Sequence, residues 1–409
     1  MKILIVTQRW YPDTFGGSEH VAREQAVRFS LEGHQVLVLT QRRQNNFPAE
    51  EMINGSLRVV RYGEEKKFKR WGLSITDLLI LPKIIRNLHG KNRFDVAILH
   101  HPYPAFGFFM AKINLPSLYI FHGSTFREVK FEGLRRKFDG ILKIFRLFSI
   151  KLFTAFTYYV EKKVLEKANI ITVFSDFSLK LLRETYPKIN KNILKIGIGI
   201  DSKKFTPPAD KDKIKETIGF ARDSFIVLTV RRLTVRMGLS ELIVAAKEVK
   251  RFFPKIIFLI IGGGPLFLEL SEQIKQLGLS ENVQLVGTLP DNKLSLYYQA
   301  ADLFVLPTVA LEGLGMSTLE AMASGVPVIG TPVGATPEIL KKVNVDFVTK
   351  SSKGEDIAYS IINFLKFNKE DRDLFGKKAR QVAESDYDWD RAVKELEEIL
   401  KSLNNNGSR

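Results

Sequence analysis

Short runs of β-branched and aliphatic residues recur along the chain, separated by stretches in which apolar positions return every three or four residues. In the first half the runs are residues 3–7, 35–40, 58–61, 95–99, 117–121, 170–174 and 193–196. Between them, residues 18–31 and 75–87 have the periodicity of amphipathic helices. Near-continuous apolar strands alternating with helices predict parallel sheets covered on both faces. The alternation breaks at Gly197-Ile198-Gly199-Ile200-Asp201 and Thr206-Pro207-Pro208-Ala209, a density of glycine and proline that reads as a linker. It resumes with runs at 225–230, 256–261, 283–286, 303–306, 326–329 and 346–348. The pattern predicts an α/β chain of two doubly wound units with a cleft between them, residues 1–198 and 207–385. A last helix from about 386 to 403 precedes a polar, disordered tail at 404–409.

Composition narrows this picture. A length of 409 residues exceeds one comfortable core. The absence of cysteine excludes disulfides, a thiolate nucleophile and Cys-ligated metal sites. The first apolar run starts directly after Met1, so no secretory signal is expected. The most apolar long stretch, 140–160, is interrupted by Lys143, Arg146 and Lys151, and its uncharged run 152–160 is too short to span a bilayer. The net charge of +17 implies an anionic partner: nucleic acid, a phospholipid surface or a phosphorylated substrate.

In doubly wound sheets ligands bind beyond the carboxyl ends of the strands, so the residues just after each run carry the chemistry. The densest signal is residues 307–330, where a strand ends at Pro307, a loop carries Glu312, glycines follow, and a helix starts near Gly315. Unpaired N–H groups at a helix start suit a diphosphate. Glu312 and Glu320 can accept hydrogen bonds from separate hydroxyl-bearing parts of one ligand, although a spaced pair of glutamates also describes two solvated helix-end acids. After the run 225–230 come Arg231-Arg232-Leu233-Thr234-Val235-Arg236-Met237-Gly238, whose guanidinium groups suit phosphate; for Arg231 a solvated basic loop fits equally well. Ile261-Gly262-Gly263-Gly264-Pro265 admits a close approach by a ligand or a helix. Phe15-Gly16-Gly17-Ser18-Glu19 lacks the spacing of a dinucleotide fingerprint, yet its N–H groups can meet a phosphate or an oxyanion. In Phe121-His122-Gly123-Ser124-Thr125, His122 can serve as a base or hold a donor hydroxyl. His100 and His101 are candidate acceptor contacts, and His34 lies in a structural turn.

Together these elements resemble glycosyltransferase family 4 over almost the whole chain, above all in Glu312-Gly313-Leu314-Gly315, in Glu320-Ala321-Met322-Ala323-Ser324-Gly325-Val326-Pro327-Val328, and in Gly334-Ala335-Thr336-Pro337-Glu338. The resemblance implies the GT-B fold, with two Rossmann-like domains facing across a cleft and the C-terminal helix crossing back to the first. The N-terminal domain would take the acceptor and the C-terminal domain the donor. It implies retaining transfer of a hexosyl-type sugar from a nucleotide diphosphate sugar to an acceptor hydroxyl, without a metal or other cofactor. Arg232 would bind the diphosphate, Glu312 the sugar hydroxyls and Glu320 the ribose. Backbone at Gly313, Leu314, Gly315, Met316 and Ser317 would meet sugar and phosphate. Gly17 would approach the phosphate, His122 the sugar, and Gly263 and Leu289 the base. One position departs from the family: the lysine usually found before the loop glycine is Met237, and Arg236 is the neighbouring cation. The Asp-x-Asp spellings at Asp210 and Asp386 read as surface acids.

Between Arg127 and Lys167 aromatics and cations interleave, including Phe138, Phe148, Lys151, Tyr159, Lys162 and Lys163. Two readings fit: a basic, aromatic face for an anionic membrane carrying a lipid-linked acceptor, or a long helix with aromatics in the core and solvated lysines. The expected compartment is the cytoplasm, with attachment to the inner face of the cell membrane if the first reading holds. No helix-turn-helix, zinc or RNP-like signature accompanies the charge, so no nucleic acid is expected. The alternatives are a GT-B sugar-nucleotide epimerase of similar architecture, or a basic membrane- or nucleic-acid-binding protein without catalysis.

Overall fold

A computed structural model describes residues 1–13, 16–42, 47–63, 78–135 and 143–407. The chain divides into two compact units, Met1–Ile198 with Trp389–Arg409, and Gly199–Asp388.

The first unit is built on an eight-stranded sheet in the order β3-β4-β2-β1-β5-β6-β7-β8. Its strands are β1 (Lys2–Val6), β2 (Gln35–Gln41), β3 (Glu50–Asn54), β4 (Leu57–Tyr62), β5 (Val96–His100), β6 (Ser117–Ile120), β7 (Ile170–Val173) and β8 (Ile193–Lys195). All neighbours pair in parallel except β3 with β4. β1 is apolar on both faces because helices cover both, and Ile3 to Val6 are fully buried. Strand order reverses between β1 and β5, so the carboxyl ends of β1, β5 and β6 form the crevice of this unit.

The second unit holds a parallel sheet in the order β11-β10-β9-β12-β13, with β9 (Ile226–Val230), β10 (Ile257–Ile261), β11 (Val283–Gly287), β12 (Leu303–Leu306) and β13 (Val328–Gly330). The reversal here lies between β9 and β12. The loops leaving those two strands carry Arg231 and Glu312.

Four expectations change. β3 is an edge strand that the polar run Glu50-Glu51-Met52 did not announce. It is held by hairpin pairing with β4 and by ion pairs from Arg58 to Glu50 and from Arg61 to Glu51. The run 346–348 is a 3-10 turn, Val345–Phe347, started by the Asn344 side chain accepting from Asp346 N, and Val348 makes a lone bridge to Gly330. The helix expected at 75–87 is seen as Leu81–Asn92, with Pro82 in its first turn, while 75–77 lie outside the described residues. The tail is not disordered: the last helix runs Trp389–Gly407, past the buried Leu400 and Leu403, and 408–409 lie outside the described residues. A helix already nucleated propagates through weak formers such as asparagine at little cost.

That last helix belongs to the first unit. Trp389, Val393, Leu396, Leu400 and Leu403 recur at helical spacing and are buried. Arg28 lies over the Trp389 ring at 5.6 Å and donates to Asp390. His34 Nε2 meets Glu397 at 2.7 Å, its Nδ1 meets the chain's amino group at 3.0 Å, and Glu395 accepts from Gly197 N. Asp210 caps the helix Lys211–Thr217 by accepting from Lys213 N, and Asp386 pairs with Lys342. Among the described residues no helix is long and apolar enough to cross a membrane.

Candidate functional site

In the second unit two loops meet at the reversal of strand order. Beyond β9 the chain turns through Arg231 to Leu233 and a 3-10 turn, Val235–Met237, that ends on Gly238 with φ 70°. Glycines explain how these loops can touch. A Cβ at Gly238 would stand 1.8 Å from Pro307 O, and Cβ atoms at Gly262 and Gly264 would stand 1.9 Å from Arg231 O and 2.5 Å from Leu233 O. The glycine run after β10 is therefore needed first for backbone packing against the arginine loop, with Leu233 N donating to Gly263 O at 3.0 Å. Gly263 faces Thr288, next to Leu289.

The side chain that meets Glu312 is that of Arg231. Its Nη2 donates to Glu312 Oε2 and, at 3.1 Å, to Thr308 Oγ1, while Thr308 donates to Glu312 at 2.9 Å. Only 7% of the Arg231 side chain and 8% of the Glu312 side chain are exposed. The solvated-loop reading of Arg231 is thus overturned: its guanidinium offsets a carboxylate that would otherwise be costly to bury. Met237, at the position of the departed lysine, is buried with its Sδ against Arg231 Nη2. Arg232 is exposed on the same loop, and Arg236 donates to Leu311 O at 3.2 Å, beside the positive φ of Leu311. Gly334, with φ 67°, lets the downstream segment close on the Glu312 backbone, where Ala335 N donates to Glu312 O at 2.9 Å.

The helix Met316–Ala323 starts on Gly315 with φ 83°. Its first N–H groups have no partners within the helix. The hydroxyls of Ser317 and Thr318 in this first turn are buried without a protein partner, a combination suited to an anionic ligand. Gly313, Leu314 and Met316 lead into it. Glu320, one helical face further on, accepts from the buried Tyr298 hydroxyl at 2.6 Å.

In the first unit a second cluster gathers at the ends of β1, β5 and β6. The helix Gly17–Leu31 brings Glu19 into its first turn, 3% exposed. Ser18 Oγ donates to Glu19 at 2.8 Å, and Arg9 lies 3.5 Å away. Burial pushes the Glu19 carboxyl up, but the charges of His101 and Arg9 and the Ser18 hydroxyl outweigh it and hold it below the usual range. Ser18 has one hydroxyl proton and gives it to Glu19, so His101 Nε2, 3.1 Å from Ser18 Oγ, is the donor in that contact. His101 has φ 67°, a left-handed backbone rarely adopted by such a residue and concentrated at functional sites. His122 stacks on His101 and on the buried His100, with centroids 5.8 and 5.2 Å away. Gly17 is exposed at the helix start; Phe15 lies outside the described residues.

In the same unit, Glu161 is fully buried and accepts from Ser124 Oγ, Thr125 N, Phe126 N and Tyr186 OH, so it caps the helix Thr125–Arg135. Burial raises its carboxyl to about 7 against the pull of those four donors.

Sequence reasoning singled out Glu312, Glu320, Arg232 and His122 but not Glu19, Thr308, Tyr298 or Glu161. A signal for Glu19 was present, an acid in the first turn after a double glycine. Nothing local marks Tyr298 or Glu161, because their roles depend on partners 22 to 37 residues away.

Two family models match: the description "Glycosyltransferase Family 4" over residues 15–204 and "Glycosyl transferases group 1" over 210–382. Among curated relatives, the GDP-mannose-dependent monoacylated alpha-(1-6)-phosphatidylinositol monomannoside mannosyltransferase of Corynebacterium glutamicum is 27% identical over 256 residues, 59% of this chain and 64% of that protein. The chain thus spans less than two thirds of the length of such relatives. Sucrose-phosphate synthase from Thermosynechococcus elongatus superposes with a TM-score of 0.79 at 20% identity, over 98% of both chains. Anabaena Alr3699/HepE, solved in complex with UDP and glucose, gives 0.72 at 21% identity over 98% of this chain and 100% of that one. These likenesses show the GT-B fold.

Proposed function

Since the chain belongs to glycosyltransferase family 4, we propose that it is a retaining hexosyltransferase, moving a sugar from a nucleotide diphosphate donor to an acceptor hydroxyl on a lipid-linked or cell-envelope glycan precursor. The observation that carries this reading is the cluster at the β9/β12 reversal, where the Arg231–Glu312–Thr308 group adjoins a helix start with buried, unpartnered Ser317 and Thr318 hydroxyls. The diphosphate docks at that helix start with Arg232 and Arg236. Glu312 accepts from sugar hydroxyls, Glu320 from the ribose, and the base lies by Gly263 and Leu289. From the first unit, Gly17 approaches the phosphate and His122 the sugar.

In the reaction the bond from the anomeric carbon to the diphosphate oxygen breaks, and a bond to the acceptor oxygen forms on the same face. The sugar passes through an oxocarbenium-like state. Negative charge develops on the departing diphosphate, where the arginines and helix start stabilise it, and that phosphate takes the acceptor proton. Preorganised charge of this sort is often the largest catalytic contribution. A thermal-shift screen against UDP, GDP, ADP and their sugar conjugates tests the reading. One nucleotide family is expected to raise the melting temperature, because a ligand that binds only the folded chain must stabilise it. No shift with any of them at millimolar concentration refutes it.

The acceptor side of the reading rests on the helix Lys143–Lys167. Its buried and its exposed residues fall on opposite faces, and the buried face named here carries no aromatic. Thr157, Val160, Glu161, Val164 and Leu165 are buried, whereas Phe148, Leu152, Ala155 and Tyr159 form an exposed stripe at i, i+4, i+7 and i+11. Phe148 is 67% and Leu152 63% exposed, Lys151 stands beside them, and Lys162 and Lys163 follow a turn beyond. Of the interleaved residues, Arg136, Lys137 and Phe138 lie outside the described ones. Such a stripe in a basic chain fits an anionic bilayer, as do the phosphatidylinositol mannosides in the names of the mannosyltransferase relatives. Sedimentation with phosphatidylglycerol-containing vesicles at low salt is expected to deplete the protein from solution. Phe148→Ser with Leu152→Ser is expected to weaken that partition by about tenfold or more, since each buried side chain contributes roughly 1.5–3 kcal/mol. Equal sedimentation of the double variant would remove this helix from the membrane reading.

A further inference from the structure

We infer that His100 locks His122 in the neutral tautomer that carries its proton on Nδ1, so that His122 offers the sugar a hydrogen-bond donor and not a base. This rests on the proposed transferase reading only for the identity of the ligand. The tautomer itself follows from the first unit alone.

His100, the last residue of β5, is completely buried, and its Nε2 has no hydrogen-bond partner. A neutral imidazole has one N–H donor and one bare acceptor nitrogen. If the proton sat on Nε2, a buried N–H would be left without an acceptor, a rare arrangement that costs roughly 1–3 kcal/mol. An unfilled acceptor is the more tolerable vacancy, so the proton belongs on Nδ1. That atom lies 2.9 Å from His122 Nε2, and the bond between them then runs from His100 to His122. With Nε2 of His122 accepting, its single proton must be on Nδ1.

Neither ring can escape this constraint by becoming charged. Burial pushes His100 well below the ordinary imidazole range, and the neighbouring His122 and His101 push the same way. Burial and His101 bring His122 down to about 3, with Glu19 the opposing charge. The groups facing His122 are thus His100, His101 and Glu19, with Phe174 at 5.6 Å as an apolar wall. Its ring is held on that side while the residue stays partly exposed. A donor fixed in advance at neutral pH can approach a sugar hydroxyl or ring oxygen without competing for the acceptor's proton.

The test uses the full chain labelled with 15N-histidine and needs neither donor nor acceptor. Long-range 1H–15N correlations at pH 7.5 are expected to show His122 with a bare Nε2 and a protonated Nδ1, with no titration down to pH 5. His100→Asn, whose amide nitrogen replaces Nδ1, is expected to keep that pattern, whereas His100→Phe removes the donor and lets the His122 proton redistribute. In transfer assays His122→Asn, which keeps an N–H near the Nδ1 position, is expected to exceed His122→Ala by about tenfold or more in kcat, as preorganised donors contribute on this scale. A protonated Nε2 on His122 in the unaltered protein, or a His122 titration in the ordinary imidazole range, overturns the inference. So does Asn performing no better than Ala.

Discussion

Replacing Glu312 by glutamine is expected to lower kcat/KM for sugar transfer by about 10²–10³-fold, the scale for losing one preorganised polar group at a reacting centre. Glutamine keeps the shape and one acceptor oxygen, so Thr308 retains a partner, but the charge that opposes Arg231 is gone. Glu312→Ala is expected to do more than inactivate. With the Arg231 side chain 7% exposed, removing its carboxylate strands a buried guanidinium, and one-sided loss of a buried pair costs roughly 3–5 kcal/mol. The two effects separate in a double variant. Glu312→Ala combined with Arg231→Met removes both charges and is expected to recover most of the melting temperature while transfer stays lost. Thermal melts and single-turnover assays on the three variants check this. Wild-type turnover in Glu312→Gln would take Glu312 out of the chemistry.

The second large effect concerns Glu161. Glu161→Ala leaves the Ser124 and Tyr186 hydroxyls and two backbone N–H groups without their acceptor, at a cost of roughly 1–3 kcal/mol for each buried group that finds no replacement. The pH dependence carries a distinct signature. Burial raises this carboxyl from 4.5 in the unfolded chain to about 7 in the folded one. The folded state therefore holds its proton longer than the unfolded state. The associated stability is fully present below pH 4.5, declines as pH rises toward 7 and is lost above it, a total of about 3 kcal/mol. Glu161→Gln cannot ionise and is expected to flatten that decline between pH 4.5 and 7.5 in denaturant titrations. An unchanged slope would show that Glu161 is ionised throughout.

Much of this is legible in the sequence. Apolar runs buried on both faces announce parallel strands, and the strand ends then point to Arg231, Glu312 and His122 as residues at crevices. The register of chemistry within a loop was less legible. Arg231, Arg232 and Arg236 are equivalent as letters, and only the folded loop, with Gly262 packed on the Arg231 backbone, shows that it is Arg231 that reaches Glu312. The Met237 substitution looked like a lost cation, yet it provides an apolar seat for a guanidinium arriving from another position. β3 is not visible in the sequence because hairpin pairing with β4 and cross-strand ion pairs hold it, and not its own composition. The tail was misread because weak helix formers followed a segment whose packing had already set the helix.

The closing helix also sets an order of assembly. Residues 199–388 leave the ribosome as one uninterrupted unit, whereas the first unit waits for Trp389 and Leu400 to cover the surface around Arg28 and His34. A fragment ending at Ile198 is therefore an unfinished body with an uncovered apolar seam. Splicing 389–407 behind residue 198 would supply the missing cover, and the segment in between is, in folding terms, a guest inserted into its host.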